Sequence, residues 1–291
     1  MRPIRTISVF PTLLTLGNLV CGFFAIVVAA RVEKPVAPPL RVGEVRVLAA
    51  DADMLAEESK ALADARNVMI SGWLIFLAMV FDALDGYVAR LARTSSDFGA
   101  QLDSLCDLVT FGVAPGFLLV KMCPRFTYFH GEAVWVIAAA FAACAALRLA
   151  RFNVETGDED EHAHFTGLPC PAAAAAIAGF ALTFYAIRQP DNPRVYAAGI
   201  DAALQSILPF FGALLALLMV SRIRYPHVAN QIFRGQKSFA HVVAVVFAMV
   251  TVMVIPGYAV PILCCAFVFY GPAHFCWEKV VRRRQQEESI F

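Results

Sequence analysis

Apolar runs long enough to cross a bilayer recur along this chain, separated by short polar stretches. A hydrocarbon core of about 30 Å is spanned by about 20 mostly apolar residues in a helix. Segments at roughly 10–30, 67–91, 98–121, 132–152, 169–189, 202–221, 238–255 and 257–277 meet or approach that length. The last two are parted only by the turn expected at Pro256-Gly257. The pattern therefore predicts an all-α fold: a polytopic integral membrane bundle of about eight helices, forming a single membrane domain over 1–291.

Composition agrees. The chain is 59% hydrophobic and 16% charged, against about 45–50% and 25% in soluble domains, and its mean hydropathy is +0.66. A formal net charge of +1 gives no reason to expect a nucleic-acid partner. The apolar run at 9–30 is too long for the core of a cleaved signal peptide and reads as a retained first span. None of the eight cysteines forms a CxxC pair, so they read as reduced packing residues. Residues 31–66 carry six Lys/Arg and seven Asp/Glu around the breaker "PVAPPL". They read as a solvated extracytoplasmic linker, within which "AADADMLAEESKALADARN" is suited to an amphipathic helix.

Basic residues in short loops set orientation. With the N-terminus in the cytoplasm, the inner side holds Arg2, Arg5, Arg90, Arg93, Arg148, Arg151, Arg222, Arg224, Arg234, Lys237, Lys279 and Arg282 to Arg284. The outer short loops hold Lys121, Arg125, Arg188 and Arg194. Both termini, including a 278–291 tail, are thus expected in the cytoplasm, and the short termini without a transit peptide suggest a bacterial plasma membrane.

One stretch breaks the apolar pattern. "DALDGYVARLARTSSDFGAQLDSLCD" (82–107) lies between uncharged runs at 68–81 and 108–120 and holds Asp82, Asp85, Asp103 and Asp107. Acids beside hydrocarbon are costly unless something neutralises them. Asp82 and Asp85 are three residues apart and Asp103 and Asp107 four apart, so each pair shares a helix face. Two facing carboxylate pairs make an all-oxygen site for hard cations such as Mg²⁺ or Mn²⁺. Four carboxylates can hold two such ions, and a two-metal site clamps both oxygens of a phosphoryl displacement. Gly86 and Gly99 allow close approach; Arg90 and Arg93 suit salt bridges to the acids or positive-inside anchors, and equally a grip on phosphate. A cation-coupled transporter would instead carry its acids near the midplane in repeated halves. Here they cluster at one face and no repeat is visible.

The spacing Asp-x2-Asp-Gly-x2-Ala-Arg-x8-Gly-x3-Asp-x3-Asp is met by Asp82, Asp85, Gly86, Ala89, Arg90, Gly99, Asp103 and Asp107. It resembles the signature of the CDP-alcohol phosphotransferases. That resemblance implies transfer of a phosphoalcohol from a CDP-linked donor to an acceptor hydroxyl, with release of CMP. It implies the four aspartates as ligands of two divalent cations, with Asp107 also the general base. Gly86, Ala89, Arg90 and Ser96 would contact CDP, joined by Thr15 and Asn18 of the first helix. A homodimer is implied as well, and the helices at 200–277 are candidates for part of its interface.

The acceptor is narrowed by "LTLGNLVCGFFAI" (14–26), "LRLARFN" (147–153), "FTGLPCPAAAA" (165–175) and the 96–115 stretch. Together these resemble the phosphatidylserine synthase branch over a catalytic core at about 10–189. The expected partners are CDP-diacylglycerol, L-serine and the surrounding membrane lipids. Arg148, Arg151 and Asn153 are placed to hold the serine carboxylate, although both arginines also suit plain positive-inside anchors. "FPTLLT" stands where the family suggests Pro-Asn, and Ser104 follows the third Asp where glycerophosphate-using relatives commonly have Pro. Choline, inositol or glycerol 3-phosphate is the alternative acceptor. His162 and His164, one residue apart in an acidic loop, read as solvated.

Overall fold

The computed structural model describes residues 9–32, 47–92, 97–124, 126, 132–155, 165–189, 194–225, 247 and 249–288. The order is α1 (Val9–Ala30), α2 (Val47–Ala92), α3 (Asp97–Asp107), a π-helical segment (Leu108–Val113), α4 (Ala114–Met122), α5 (Ala133–Glu155), β1 (Phe165–Thr166), α6 (Cys170–Ile187), α7 (Arg194–Val220), β2 (Arg224–Tyr225) and α8 (Pro256–Glu288). Among the described residues, seven helical stretches are long and apolar enough to cross a membrane, with α3, the π segment and α4 acting as one. The expected membrane bundle is therefore observed. The further span expected at 238–255 lies largely outside the described residues; helix is present at Phe247 and 249–254, and Ile255 interrupts it before α8.

Three boundaries differ from expectation. The second half of the 31–66 linker is helical and runs without a break into the second span, so α2 is 46 residues long. Its residues 49–67 carry few helix breakers, and nothing stops the helix until the glycine-poor apolar run has been crossed. At the other end of the chain, α8 continues past Trp277 to Glu288, taking in much of the tail. The third span is not one regular helix, because six residues directly after Asp107 form π turns.

With water absent from the bilayer core, small residues let helices approach closely enough for dispersion to hold them. The alanine-rich run of α6 does this: Ala173, Ala174, Ala176, Ala178 and Ala181 are all fully buried. The α3–π–α4 span and α6 form the centre of the bundle, while α5 and α8 turn most of their surface outward. On α1, Ala25 and Ala29 are buried, and Ser71 of α2 donates to the Ala25 carbonyl at 2.9 Å. Leu16, Val20, Phe23 and Phe24 point outward from the same helix, as expected of a lipid-facing surface.

The connection from β1 into α6 is held by the end of α7. Gly167 has φ +85°, a left-handed conformation that glycine adopts without a Cβ penalty. Its N–H donates to Ile223 O at 2.8 Å, and Leu168 N–H donates to Leu218 O at 3.0 Å. β1 pairs antiparallel with β2, Phe165 opposite Tyr225. Tyr225 is buried and donates its hydroxyl to Val268 O of α8 at 3.1 Å. The "FTGLPCP" entry is thereby fixed to the carboxyl-terminal third of the chain.

Candidate active site

Asp82 and Asp85 stand near the end of α2, and Asp103 and Asp107 on α3. The short link between the two helices brings them side by side. Asp82, Asp85 and Asp103 each offer a carboxylate oxygen, and the three oxygens lie within 4.8 Å of one another. Asp85 and Asp107 are almost fully buried, at 5% and 8% exposure. Two unit charges at such a separation repel by about 3 kcal/mol even at an effective dielectric near 20. Such a group is stable only with a cation or with protons among its oxygens.

Helix α1 supplies the neutral wall of the site. Thr15 and Asn18 are both buried and one turn apart. The Thr15 hydroxyl is hydrogen-bonded to the Asp85 carboxylate. Asn18 Nδ2 donates to Asp107 Oδ1 at 2.9 Å. Among the described residues, Asp85 Oδ2, Asp103 Oδ1 and Asn18 Oδ1 remain buried without a hydrogen-bond partner. Buried acceptors are rarely left so. Three of them around one carboxylate cluster fit the oxygen donor set of a hard divalent cation.

The remaining sequence candidates fall in two groups. Beside Asp85, a side chain placed at Gly86 would meet no atom within 4 Å, so open space adjoins the cluster there. Ala89 and Arg90 are helical in α2, but their side chains, like Ser96 as a whole, lie outside the described residues. At the end of α5, Arg148 and Arg151 are half-buried. Arg148 Nη1 reaches Cys170 Sγ at 3.5 Å, and its Nε is buried without a partner. Cys170 is within electrostatic reach of both Arg148 and Asp107, which relates the arginine to the carboxylates. Asn153 Nδ2 donates to Ser104 Oγ at 2.9 Å, so this amide is engaged by the residue that follows Asp103. His162 and His164 lie outside the described residues. The eight cysteines are unbridged; Cys21, Cys106, Cys123 and Cys170 are buried as packing residues would be, whereas Cys276 is exposed.

Two features of the site escaped the sequence reading. One is the π segment with the buried Thr110 at its centre; the available signal was a lone polar residue in the run "LVTFGVAP". The other is the pairing of Ser104 with Asn153, for which the sequence offers no periodicity.

A family model described as CDP-alcohol phosphatidyltransferase matches residues 8–220. The chain belongs to the CDP-alcohol phosphatidyltransferase family. The match takes in every element that builds the site and extends through α7, beyond the core expected at 10–189. Among curated proteins, the chain is 38% identical over 198 residues to the CDP-diacylglycerol–serine O-phosphatidyltransferase of Methanocaldococcus jannaschii, covering 68% of this chain and 80% of that protein. It is 33% identical over 161 residues to the Bacillus subtilis protein of the same name, covering 55% of this chain and 77% of that one. It is also 38% identical over 158 residues to the archaetidylserine synthase of Methanothermobacter thermautotrophicus, covering 53% of this chain and 57% of the relative. Members of the family generally use divalent metals, and the aspartate cluster is compatible with that chemistry.

Proposed function

We propose that this protein transfers the phosphatidyl group of CDP-diacylglycerol to the hydroxyl of L-serine, giving phosphatidylserine and CMP. The observation that carries the proposal is the aspartate cluster, with three carboxylate oxygens within 4.8 Å and unsatisfied buried acceptors around them. It occurs in a chain whose relatives in two of the organisms above are named for serine O-phosphatidyl transfer.

In this reading Asp82, Asp85, Asp103 and Asp107 hold two divalent cations, Mg²⁺ or Mn²⁺. Bound there, the cations supply charge neutralisation for the diphosphate and for the departing CMP. The protein does the rest. Asp107 accepts the Asn18 amide on Oδ1, leaving its second oxygen to take the serine hydroxyl proton as a general base. The serine oxygen forms a bond to the phosphatidyl phosphorus while the bond from phosphorus to the CMP oxygen breaks. No enzyme-bound covalent intermediate is required. Gly86 gives the diphosphate room beside Asp85, with Ala89, Arg90 and Ser96 completing the contacts to CDP and Thr15 and Asn18 lining the opposite wall.

Serine is held through its carboxylate. The buried, unpartnered Nε of Arg148 is the donor such an anion satisfies, and Arg151 and Asn153 flank it on the same helix end. A guanidinium binds a carboxylate through two parallel N–H bonds, which distinguishes serine from choline or inositol.

The distribution of arginines supports a cytoplasmic active face in a bacterial plasma membrane, where soluble serine is available. The lipid tails of the donor would remain in the bilayer between helices. A core over about 10–189 would carry the chemistry within one membrane domain, and the helices at 200–277 would contribute to a homodimer interface. On α8, Ile262, Leu263, Phe269 and Tyr270 present an apolar surface suited to that contact.

The test is CMP release by purified protein supplied with CDP-diacylglycerol and Mn²⁺, with L-serine, glycerol 3-phosphate, inositol and choline offered separately. Serine-dependent release that is lost with a chelator supports the reading. Release with another acceptor alone overturns the assignment of serine while keeping the aspartate mechanism.

A further inference from the structure

Thr110 is fully buried at the centre of the π segment, three residues after Asp107. Its Oγ1 donates to the main-chain carbonyl of Asn18 at 3.2 Å. The Asn18 side chain in turn donates to Asp107 Oδ1 at 2.9 Å. Asn18 is therefore gripped twice by one short stretch of the third span, once on its main chain and once on its amide. Together the two bonds restrain α1 against the third span at the level of Asn18.

The sequence makes room for this. A Cβ added at Gly22 would collide with Thr110 Oγ1 and come within 2.9 Å of Thr110 Cα. Gly22 lies one turn after Asn18, where its N–H is the ordinary helical partner of the Asn18 carbonyl. The missing side chain at 22 lets the hydroxyl reach the second lone pair of that carbonyl. The π turns supply the matching displacement on the other side. A single-turn widening of this kind is rare and occurs mostly at functional sites.

We propose that Thr110 is a positioning residue: through Asn18 it sets the Asp107 carboxylate relative to the other three aspartates. Asn18 Oδ1 is buried and without a partner, and it belongs to the same amide that the contact places. This inference rests on the role proposed for Asp107, and it holds for whichever acceptor is used.

Thr110→Val keeps the shape and removes the hydroxyl; Thr110→Ser keeps the hydroxyl. The full chain would be purified in detergent and two quantities measured: the Mn²⁺ concentration at the midpoint of metal-dependent thermal stabilisation, and kcat with KM for serine and CDP-diacylglycerol. Thr110→Val is expected to raise the Mn²⁺ midpoint about threefold or more and to lower kcat about tenfold. Both KM values stay within about twofold, and Thr110→Ser stays within about threefold of wild type throughout. In an Asn18→Ala background, Thr110→Val is expected to shift the Mn²⁺ midpoint no further.

An unchanged midpoint and kcat in Thr110→Val overturns the proposal. So does a Thr110→Ser variant as impaired as Thr110→Val, which would assign the effect to packing. An undiminished Thr110 effect on the midpoint without the Asn18 side chain overturns it as well. The Mn²⁺ arm needs no turnover, so it still decides the matter if serine proves not to be the acceptor.

Discussion

Ser104 and Asn153 are 49 residues apart in sequence and meet side chain to side chain, Asn153 Nδ2 donating to Ser104 Oγ at 2.9 Å. Ser104 Oγ is also hydrogen-bonded to the Ala100 carbonyl at 3.1 Å. The pair ties the aspartate-bearing α3 to the end of α5, where Arg148 and Arg151 stand. It thus relates the proposed acceptor grip to the proposed metal ligands. Such a bond is worth about 1 kcal/mol when removed cleanly.

Ser104→Ala and Asn153→Ala are each expected to raise KM for serine about three- to tenfold, with KM for CDP-diacylglycerol nearly unchanged. The double variant is expected to lose little more than either single one, because both remove the same bond. Fully additive losses in steady-state kinetics would show that the two residues act separately.

Asp82, Asp85 and Asp103 lie together, with Asp107 within electrostatic reach of them, and such acids oppose folding when no cation is bound. Asp103→Asn is expected to raise the melting temperature of the metal-free protein by a few degrees, about 2–4 °C per kcal/mol for a chain of this size. The same variant is expected to abolish stabilisation by Mn²⁺ and to lower CMP release by at least about a hundredfold. Differential scanning fluorimetry with and without EDTA checks the first two. A metal-free Asp103→Asn protein less stable than wild type would mean that the carboxylate has a structural partner.

Arg148 presents a planar guanidinium with one buried donor unpaired. Lysine carries the charge but cannot reproduce two parallel N–H bonds. Arg148→Lys is therefore expected to raise KM for serine about tenfold or more while leaving KM for CDP-diacylglycerol within about twofold. Equal effects on both substrates would place Arg148 at the lipid donor or in packing.

Tyr225 lies outside the spans, and burial pushes its phenol up to about 12. In the unfolded chain the group ionises near 10. Between these values the unfolded state releases a proton that the folded state keeps, so stability falls as pH rises. Below about pH 10 the full contribution is present; by about pH 12 up to about 2 kcal/mol is lost. Melting temperatures measured from pH 9 to 11.5 should show this decline in wild type. Tyr225→Phe should flatten it, at the cost of about 1 kcal/mol at neutral pH for the lost bond to Val268. An unchanged slope in Tyr225→Phe would assign the alkaline transition to another group.

The membrane bundle and the aspartate cluster were legible because both follow from local rules. Apolar length alone marks a span, and Asp82/Asp85 and Asp103/Asp107 at helical spacing mark two acid faces. Thr15 and Asn18 were expected only through family resemblance, as CDP contacts; nothing in the spacing of α1 points to the bonds they make to Asp85 and Asp107. What stayed hidden depends on tertiary fit. The π segment after Asp107 has an ordinary apolar sequence, and its Thr110 meets Asn18 and Gly22 of a helix remote in sequence. The tie of Gly167 and Leu168 to Leu218 and Ile223 is main chain to main chain, and its one sequence trace is the glycine itself. The helix at 49–67 was legible as a candidate amphipathic segment; what stayed hidden is that it runs unbroken into the second span as one 46-residue helix.

Serine-dependent phosphatidyl transfer at the aspartate site underlies the proposals above. Its most direct test is the formation of lipid from labelled L-serine by purified protein with CDP-diacylglycerol and Mn²⁺, comparing wild type with Asp107→Asn. Labelled phosphatidylserine is expected in step with released CMP from wild type, and neither above background from a well-folded Asp107→Asn. Labelled lipid formed equally well by Asp107→Asn would contradict the role of the base. A wild-type protein that releases CMP without incorporating serine would contradict the assigned reaction.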